Sequence, residues 1–217
     1  MTGHQIKSML LALFVCTQAA CAMAMERAWT KVPTLVIVAP ENDARMPVSH
    51  EAIDFWNRTF AEIGTPFRLG PVVQITAAVP VDVLQDLSAR VVGRGGLVEL
   101  PENLQRLPGD LVIVLSDGEF VSFAARSASS RKVIIGIRSD RLPPLTLPNV
   151  ARNVIAHELG HAIGLGHNDD PNKLMCGRPA PCRPGLFQSQ EARFFPLTDY
   201  EKALLLKMYP SNWTSRD

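Results

Sequence analysis

Three apolar runs rich in β-branched residues carry no polar alternation: residues 34–38 (Thr-Leu-Val-Ile-Val), 110–116 (Asp-Leu-Val-Ile-Val-Leu-Ser) and 132–138 (Lys-Val-Ile-Ile-Gly-Ile-Arg). Continuous runs of this kind predict strands buried on both faces, with residues 110–116 the clearest central strand. Two weaker segments read as peripheral strands. Residues 67–76 contain Gly70-Pro71, which implies a bulge or a sheet edge, and residues 119–125 form a short strand before the small-residue loop 127–130.

Helical spacing fills the gaps. Ser49 stands as N-cap to a helix carrying Ile53, Phe55, Trp56 and Phe60, ending before Gly64. His50, at the start of that helix, reads as a surface or capping residue. Pro80 opens a helix in which Val81, Leu84, Leu87 or Ser88, and Val91 share a face, ended by Gly93, Gly95 and Gly96. That helix and the proline-containing stretch up to Pro108-Gly109 look like an insertion between strands. Pro148-Asn149 starts a longer helix, with Asn149 as cap and Val150, Val154, Ile155, Leu159 and Ile163 as packing positions. Thr198 followed by Glu201 is a capping box for a last helix containing Ala203, Leu204, Leu205 and Met208.

The long helix carries the chemistry. Residues 157–167 read His-Glu-Leu-Gly-His-Ala-Ile-Gly-Leu-Gly-His and hold three of the chain's 5 histidines. Helical residues four apart share a face, so His157 and His161 can point at one ion. Glu158 lies about 100° round the helix, unable to be a third ligand from that face but able to reach a water on the metal. Gly164 lets the chain turn sharply, Gly166 adds a second flexible point, and His167 folds back to complete the set. Three neutral imidazoles suit Zn²⁺ and leave a fourth position for water, the arrangement of a catalytic ion.

This segment resembles the H-E-x-x-H-x-x-G-x-x-H signature of the metzincin metallopeptidases, whose second mark is a methionine turn after the third histidine. Leu174-Met175-Cys176 stands in the corresponding place, and the Asp-Pro-containing link from His167 to Met175 is most similar to the matrixin branch. The resemblance covers about twenty residues. It implies an α+β, α/β-like catalytic domain over residues 25–217, with a twisted mixed sheet, a long active-site helix and a C-terminal helix. It also implies a zinc-dependent endopeptidase with His157, His161 and His167 as ligands, Glu158 as general base and Met175 as an apolar floor beneath the metal. In that family an edge strand pairs with an extended substrate, and residues 119–125 are the segment for that role. Residues 182–196, with Phe187, Phe194 and Phe195, would form the rim of the pocket after the scissile bond. The competing reading is a non-catalytic zinc module that binds a peptide or cell-wall partner; Glu158, needed for turnover and not for binding, argues against it.

Residues 1–24 read as a secretory signal: Lys7 with His4, an apolar core from 9 to 15, and Ala22-Met23-Ala24 as cleavage site. Acylation of Cys21 is the lesser alternative, because Gln18 stands where an aliphatic residue is usual. The apolar run is too short to span a bilayer, so no transmembrane anchor remains after cleavage. Loss of Lys7 and of no acid takes the net charge from +1 to zero, which gives no case for nucleic-acid binding. An exported protein is expected to join Cys176 and Cys182 in a disulfide, two free thiols or extra metal ligands being the alternatives. The nine residues from 25 to 33 contain no cysteine, so the cysteine-bearing inhibitory segment usual in matrixins is not expected there. Asp169 and Asp170 leave room for calcium, although no Asp/Asn/Gly-rich loop demands it. The partner is a peptide or protein; substrate and oligomeric state are not encoded legibly.

Overall fold

The computed structural model describes residues 28–94, 96–177, 181–183, 185 and 191–216. The expected signal segment 1–24 and Phe187 lie outside the described residues.

Six strands form one mixed sheet: β1 (Leu35–Ala39), β2 (Val72–Thr76), β3 (Leu97–Val98), β4 (Leu111–Leu115), β5 (Phe123–Ser127) and β6 (Val133–Ile137), in the spatial order β2-β1-β4-β6-β5-β3. β1, β2, β4 and β6 run parallel, and β5 lies antiparallel to β6 with Phe123 opposite Gly136. The three apolar runs supply the three inner parallel strands β1, β4 and β6, in which every residue is buried. Alternate side chains feed two cores, which is why these strands show no polar alternation. Leu35, Ile37, Ile113 and Ile135 face helices α1 (Met46–Glu62), α4 (Pro148–Ala162) and α5 (Asp199–Met208). Val36, Val38, Val112 and Ile134 face α2 (Val81–Arg94) and the short α3 (Glu102–Gln105) through Leu84, Leu87 and Leu104.

Four local expectations are corrected. Helix α1 begins at Met46 with Pro47 in its first turn, and Ser49 sits inside it, its hydroxyl donating to the Arg45 carbonyl. The proline's fixed φ therefore starts the helix, not a side-chain cap. Asn149 does not cap α4; Leu147 holds that position without a side-chain bond, and Asn149 is turned to other work described below. The segment 67–76 is a strand only from Val72 onward, at the sheet edge. The strand anticipated at 119–125 is instead Phe123–Ser127, and β3 covers its far end by pairing with Arg126 and Ser127. The capping box of α5 is present as expected: Glu201 N–H donates to Thr198 Oγ1, and Thr198 N–H to Glu201 Oε2. No helix among the described residues is long and apolar enough to cross a membrane.

Helix α4 crosses the sheet against α1, where Trp56 Nε1 donates to the Ala156 carbonyl at 2.9 Å. Its C-terminal carbonyls are held from three directions. Trp29 Nε1 and Arg126 Nη2 donate to Ala162 O, and the Tyr209 hydroxyl donates to Ile163 O. A helix end left without donors inside the protein would carry unsatisfied acceptors, so these side chains fix where α4 stops and where its histidines stand.

Candidate metal centre

Helix α4 ends in a Schellman turn. Leu165 N–H reaches back to Gly160 O at 2.9 Å and Gly164 N–H to His161 O at 3.1 Å, with Gly164 at φ 112°. Only glycine takes that backbone conformation without strain. Gly166, in contrast, lies outside the left-handed region. The same turn carries the Leu165 carbonyl to His161 Nδ1, 2.9 Å away. The chain then passes His167 and doubles back, with Asn168 N–H on Met175 O and Gly177 N–H on Asn168 O, both at 2.9 Å. That return places the Leu174 carbonyl 2.8 Å from His157 Nδ1.

Three imidazoles therefore converge through their Nε2 atoms. The separations are 3.1 Å between His157 and His161, 3.1 Å between His157 and His167, and 3.0 Å between His161 and His167. On His157 and His161 the outer nitrogen faces a backbone carbonyl, which makes Nδ1 the protonated nitrogen and leaves the Nε2 lone pair pointing inward. Lone pairs crowded like this repel unless a cation lies between them. Nitrogen ligands about 2.0–2.1 Å from a tetrahedral zinc stand about 3.3 Å apart, so the triangle fits one Zn²⁺ after an opening of a few tenths of an ångström. Among the described residues it is the only group of three or more His, Cys, Asp or Glu side chains that could hold an ion, and Asp169 and Asp170 belong to no such group. His50 stands elsewhere, its ring 2.9 Å from Gln74 Nε2.

Burial, aided by the charges of His161, Arg183 and His167, holds the His157 pKa well below its ordinary value, and burial with Arg183 lowers that of His167. Both shifts favour the neutral imidazole that a metal requires. Glu158 is buried beside them, its carboxyl pushed up to about 8 by desolvation, with the Arg183 charge pulling the other way. A dication in the triad would draw it down again.

Two glycines unremarked in the sequence set this geometry. A Cβ on Gly160 would stand 2.4 Å from Met175 Sδ, so the buried Met175 lies directly against the α4 backbone between His157 and His161. A Cβ on Gly177 would stand 2.4 Å from His167 Cγ, so that ring lies flat on the Gly177 backbone. Cys176 and Cys182 form the disulfide that closes the neighbouring loop. Arg183, immediately after it, donates from Nη1 to Leu174 O at 2.6 Å and to Cys176 O at 3.3 Å. Asn168 Nδ2 donates to Glu201 Oε1 at 2.6 Å, so the α5 capping carboxylate also tethers the residue after His167.

The described part of the expected pocket rim is pinned to α4. Asn149 Nδ2 donates to Glu191 O, and its Oδ1 accepts from Arg193 N–H; Asn153 Nδ2 donates to Arg193 O, and its Oδ1 accepts from Phe195 N–H. Phe194 stacks on Phe55 with ring centroids 4.5 Å apart, and Phe195 is buried in the core. Those two rings hold the rim down.

No protein-family model matches the sequence, and no curated protein is significantly similar to it. The chain is similar in structure to an archaemetzincin from Methanopyrus kandleri, with 18% identity and a TM-score of 0.44 over 82% of this chain and 96% of that one. A zinc-dependent peptidase from Methanocorpusculum labreanum overlaps it with 14% identity and a TM-score of 0.38, covering 79% of this chain and 99% of the other. An archaemetzincin from Archaeoglobus fulgidus gives 12% and 0.40 over the same shares, 79% and 99%. These scores leave the functional reading to the geometry of the site.

Proposed function

We propose that this chain is an exported zinc-dependent endopeptidase. The observation that carries the reading is the convergence of His157, His161 and His167 Nε2 atoms within 3.1 Å of one another, beside a buried Glu158. Zinc held there supplies a Lewis acid for the scissile carbonyl and lowers the pKa of a bound water to about 7. Glu158 takes the proton from the attacking water and passes it to the leaving amine. Its burial makes charge costly and a metal dication would make charge favourable, so the two act in opposition on Glu158. The Leu174 and Leu165 carbonyls hold His157 and His161 in the ligating tautomer, and Met175 with Gly160 excludes water from beneath the triad.

An extended peptide is the substrate class that the sheet supports. β3 covers β5 only at Arg126 and Ser127, so residues 123–125 are the portion to which a substrate strand would add. The Asp-Pro-containing link from His167 to Met175 supports placement in the matrixin branch. The Cys176–Cys182 disulfide and the signal-like segment 1–24 support export.

Metal analysis paired with two variants tests the assignment. His161→Ala should lose stoichiometric zinc, whereas Glu158→Gln should keep zinc and lose peptide hydrolysis. Turnover retained by zinc-loaded Glu158→Gln would remove Glu158 from the role of base.

A further inference from the structure

We infer that Arg183 is a positioning residue for the metal centre, put in place by the Cys176–Cys182 disulfide, and that zinc affinity therefore depends on the redox state of that disulfide. The inference rests on the zinc reading above.

The Leu174 carbonyl links Arg183 to His157. It accepts from His157 Nδ1 at 2.8 Å and from Arg183 Nη1 at 2.6 Å, and the same guanidinium nitrogen reaches Cys176 O at 3.3 Å. Arg183 Nη1 also lies 3.4 Å from His157 Nδ1, on the side of the ring opposite the converging Nε2 atoms. Arg183 thus touches none of the reacting atoms. It fixes the carbonyl that fixes the ligand, and groups that orient a ligating histidine this way are typically worth about 10–100-fold in metal affinity.

The disulfide delivers Arg183 to this position. Cys182 precedes it directly, Arg183 N–H donates to Pro171 O at 2.5 Å, and its φ of 56° puts a sharp left-handed turn at this residue. At the other end of the loop, Cys176 is followed by Gly177, on which the His167 ring rests. The residues just past the two cysteines therefore brace two of the three imidazoles. Reduction by a cellular thiol would cleave the sulfur–sulfur bond with two electrons and two protons, leaving two cysteine thiols while the reductant becomes a disulfide. Cys182 is half-buried and offers the approach, whereas Cys176 is buried. Both braces then lose the covalent part of their anchorage, keeping only the Arg183–Pro171 and Gly177–Asn168 backbone bonds, and the metal is held less firmly in a reducing compartment than in an oxidising one.

The sign of the Arg183 effect separates positioning from charge. At pH 8, above the ordinary imidazole range, proton competition for the ligands is removed and a guanidinium near a dication only repels it, so a purely electrostatic role predicts tighter zinc there in Arg183→Ala. Positioning predicts weaker zinc, with Arg183→Lys keeping the charge, losing the fork and falling between.

The experiment measures zinc affinity at pH 8 by competition with a chromophoric chelator for the oxidised protein, Arg183→Ala, Arg183→Lys, Cys176→Ser/Cys182→Ser and the combined Arg183→Ala/Cys176→Ser/Cys182→Ser variant. Thermal unfolding of each metal-free protein runs alongside as the check on folding. Expected are losses of at least tenfold in Arg183→Ala and in the double cysteine variant, with the combined variant little worse than the double cysteine variant. Tighter or unchanged zinc in Arg183→Ala, or fully additive losses, would overturn the inference. Failure of the oxidised wild-type protein itself to take up one zinc would overturn the underlying zinc reading instead.

Discussion

Replacing Gly177 by alanine should dislodge His167 and with it the metal. The added methyl would stand 2.4 Å from His167 Cγ, 2.7 Å from its Cβ and 2.8 Å from Nδ1. Carbon atoms rest about 3.5–4.0 Å apart, so the ring must retreat by roughly 1 Å or the loop must. The loop is tied on three sides: Gly177 N–H bonds Asn168 O, Asn168 N–H bonds Met175 O, and Cys176 is in the disulfide. The ring therefore gives way. A ligand constellation tolerates displacements of about 0.5 Å, so the expected loss in zinc affinity is on the order of 100-fold, about 2.7 kcal/mol. Chelator competition reads this directly, and Gly166→Ala is the matched control, since a methyl there meets nothing within 4 Å. Zinc affinity in Gly177→Ala within threefold of that in Gly166→Ala would refute the packing argument.

Gly160→Ala should lower the thermal midpoint even though alanine favours helix by about 1 kcal/mol, because the methyl meets Met175 Sδ at 2.4 Å and overpacking of a buried site costs about 1–3 kcal/mol; a raised midpoint would show that Met175 has room to move. Metal-free protein should lose stability between pH 4.5 and about 8 through Glu158. The carboxyl binds its proton more tightly folded than unfolded, so its contribution is whole below the unfolded pKa and gone above the folded one, with a ceiling of about 4–5 kcal/mol. Urea midpoints of chelated wild type and Glu158→Gln at pH 5 and pH 8.5 check this, and equal losses in both would reject it. Asn153→Ala should strip the bonds to Arg193 O and Phe195 N–H, lower stability by roughly 1–3 kcal/mol and speed proteolytic nicking near residues 191–195; nicking at the wild-type rate would mean that Asn149, Phe194 and Phe195 hold the rim without Asn153.

The layers of the fold were legible because strands covered on both faces must be apolar throughout, and residues 35–38, 111–115 and 133–137 are. The site was legible because histidine spacing, a glycine turn and a methionine combine several independent requirements within one short stretch. Less could be read where a tertiary neighbour decides. β3 is two residues long, too short for any periodicity, and exists only because β5 offers it an edge. Ser49 and Asn149 have the right chemistry for caps, but Pro47, two residues before the one, and Pro148, directly before the other, set the helix starts, and Asn149 is used to hold the rim. Gly160 and Gly177 could be recognised only once Met175 and His167 were seen lying against them. Arg183 carried one faint signal, its place directly after the second cysteine of a loop that closes on the methionine turn.

Hydrolysis of a quenched fluorescent peptide library by residues 25–217, with and without a zinc chelator and beside Glu158→Gln, tests the central claim most directly. Cleavage that the chelator abolishes, that added zinc restores and that Glu158→Gln lacks is the predicted result. Cleavage that survives complete removal of zinc, or one tightly bound zinc with no cleavage of any peptide, would contradict the peptidase reading, the latter in favour of a module that binds peptides without cutting them.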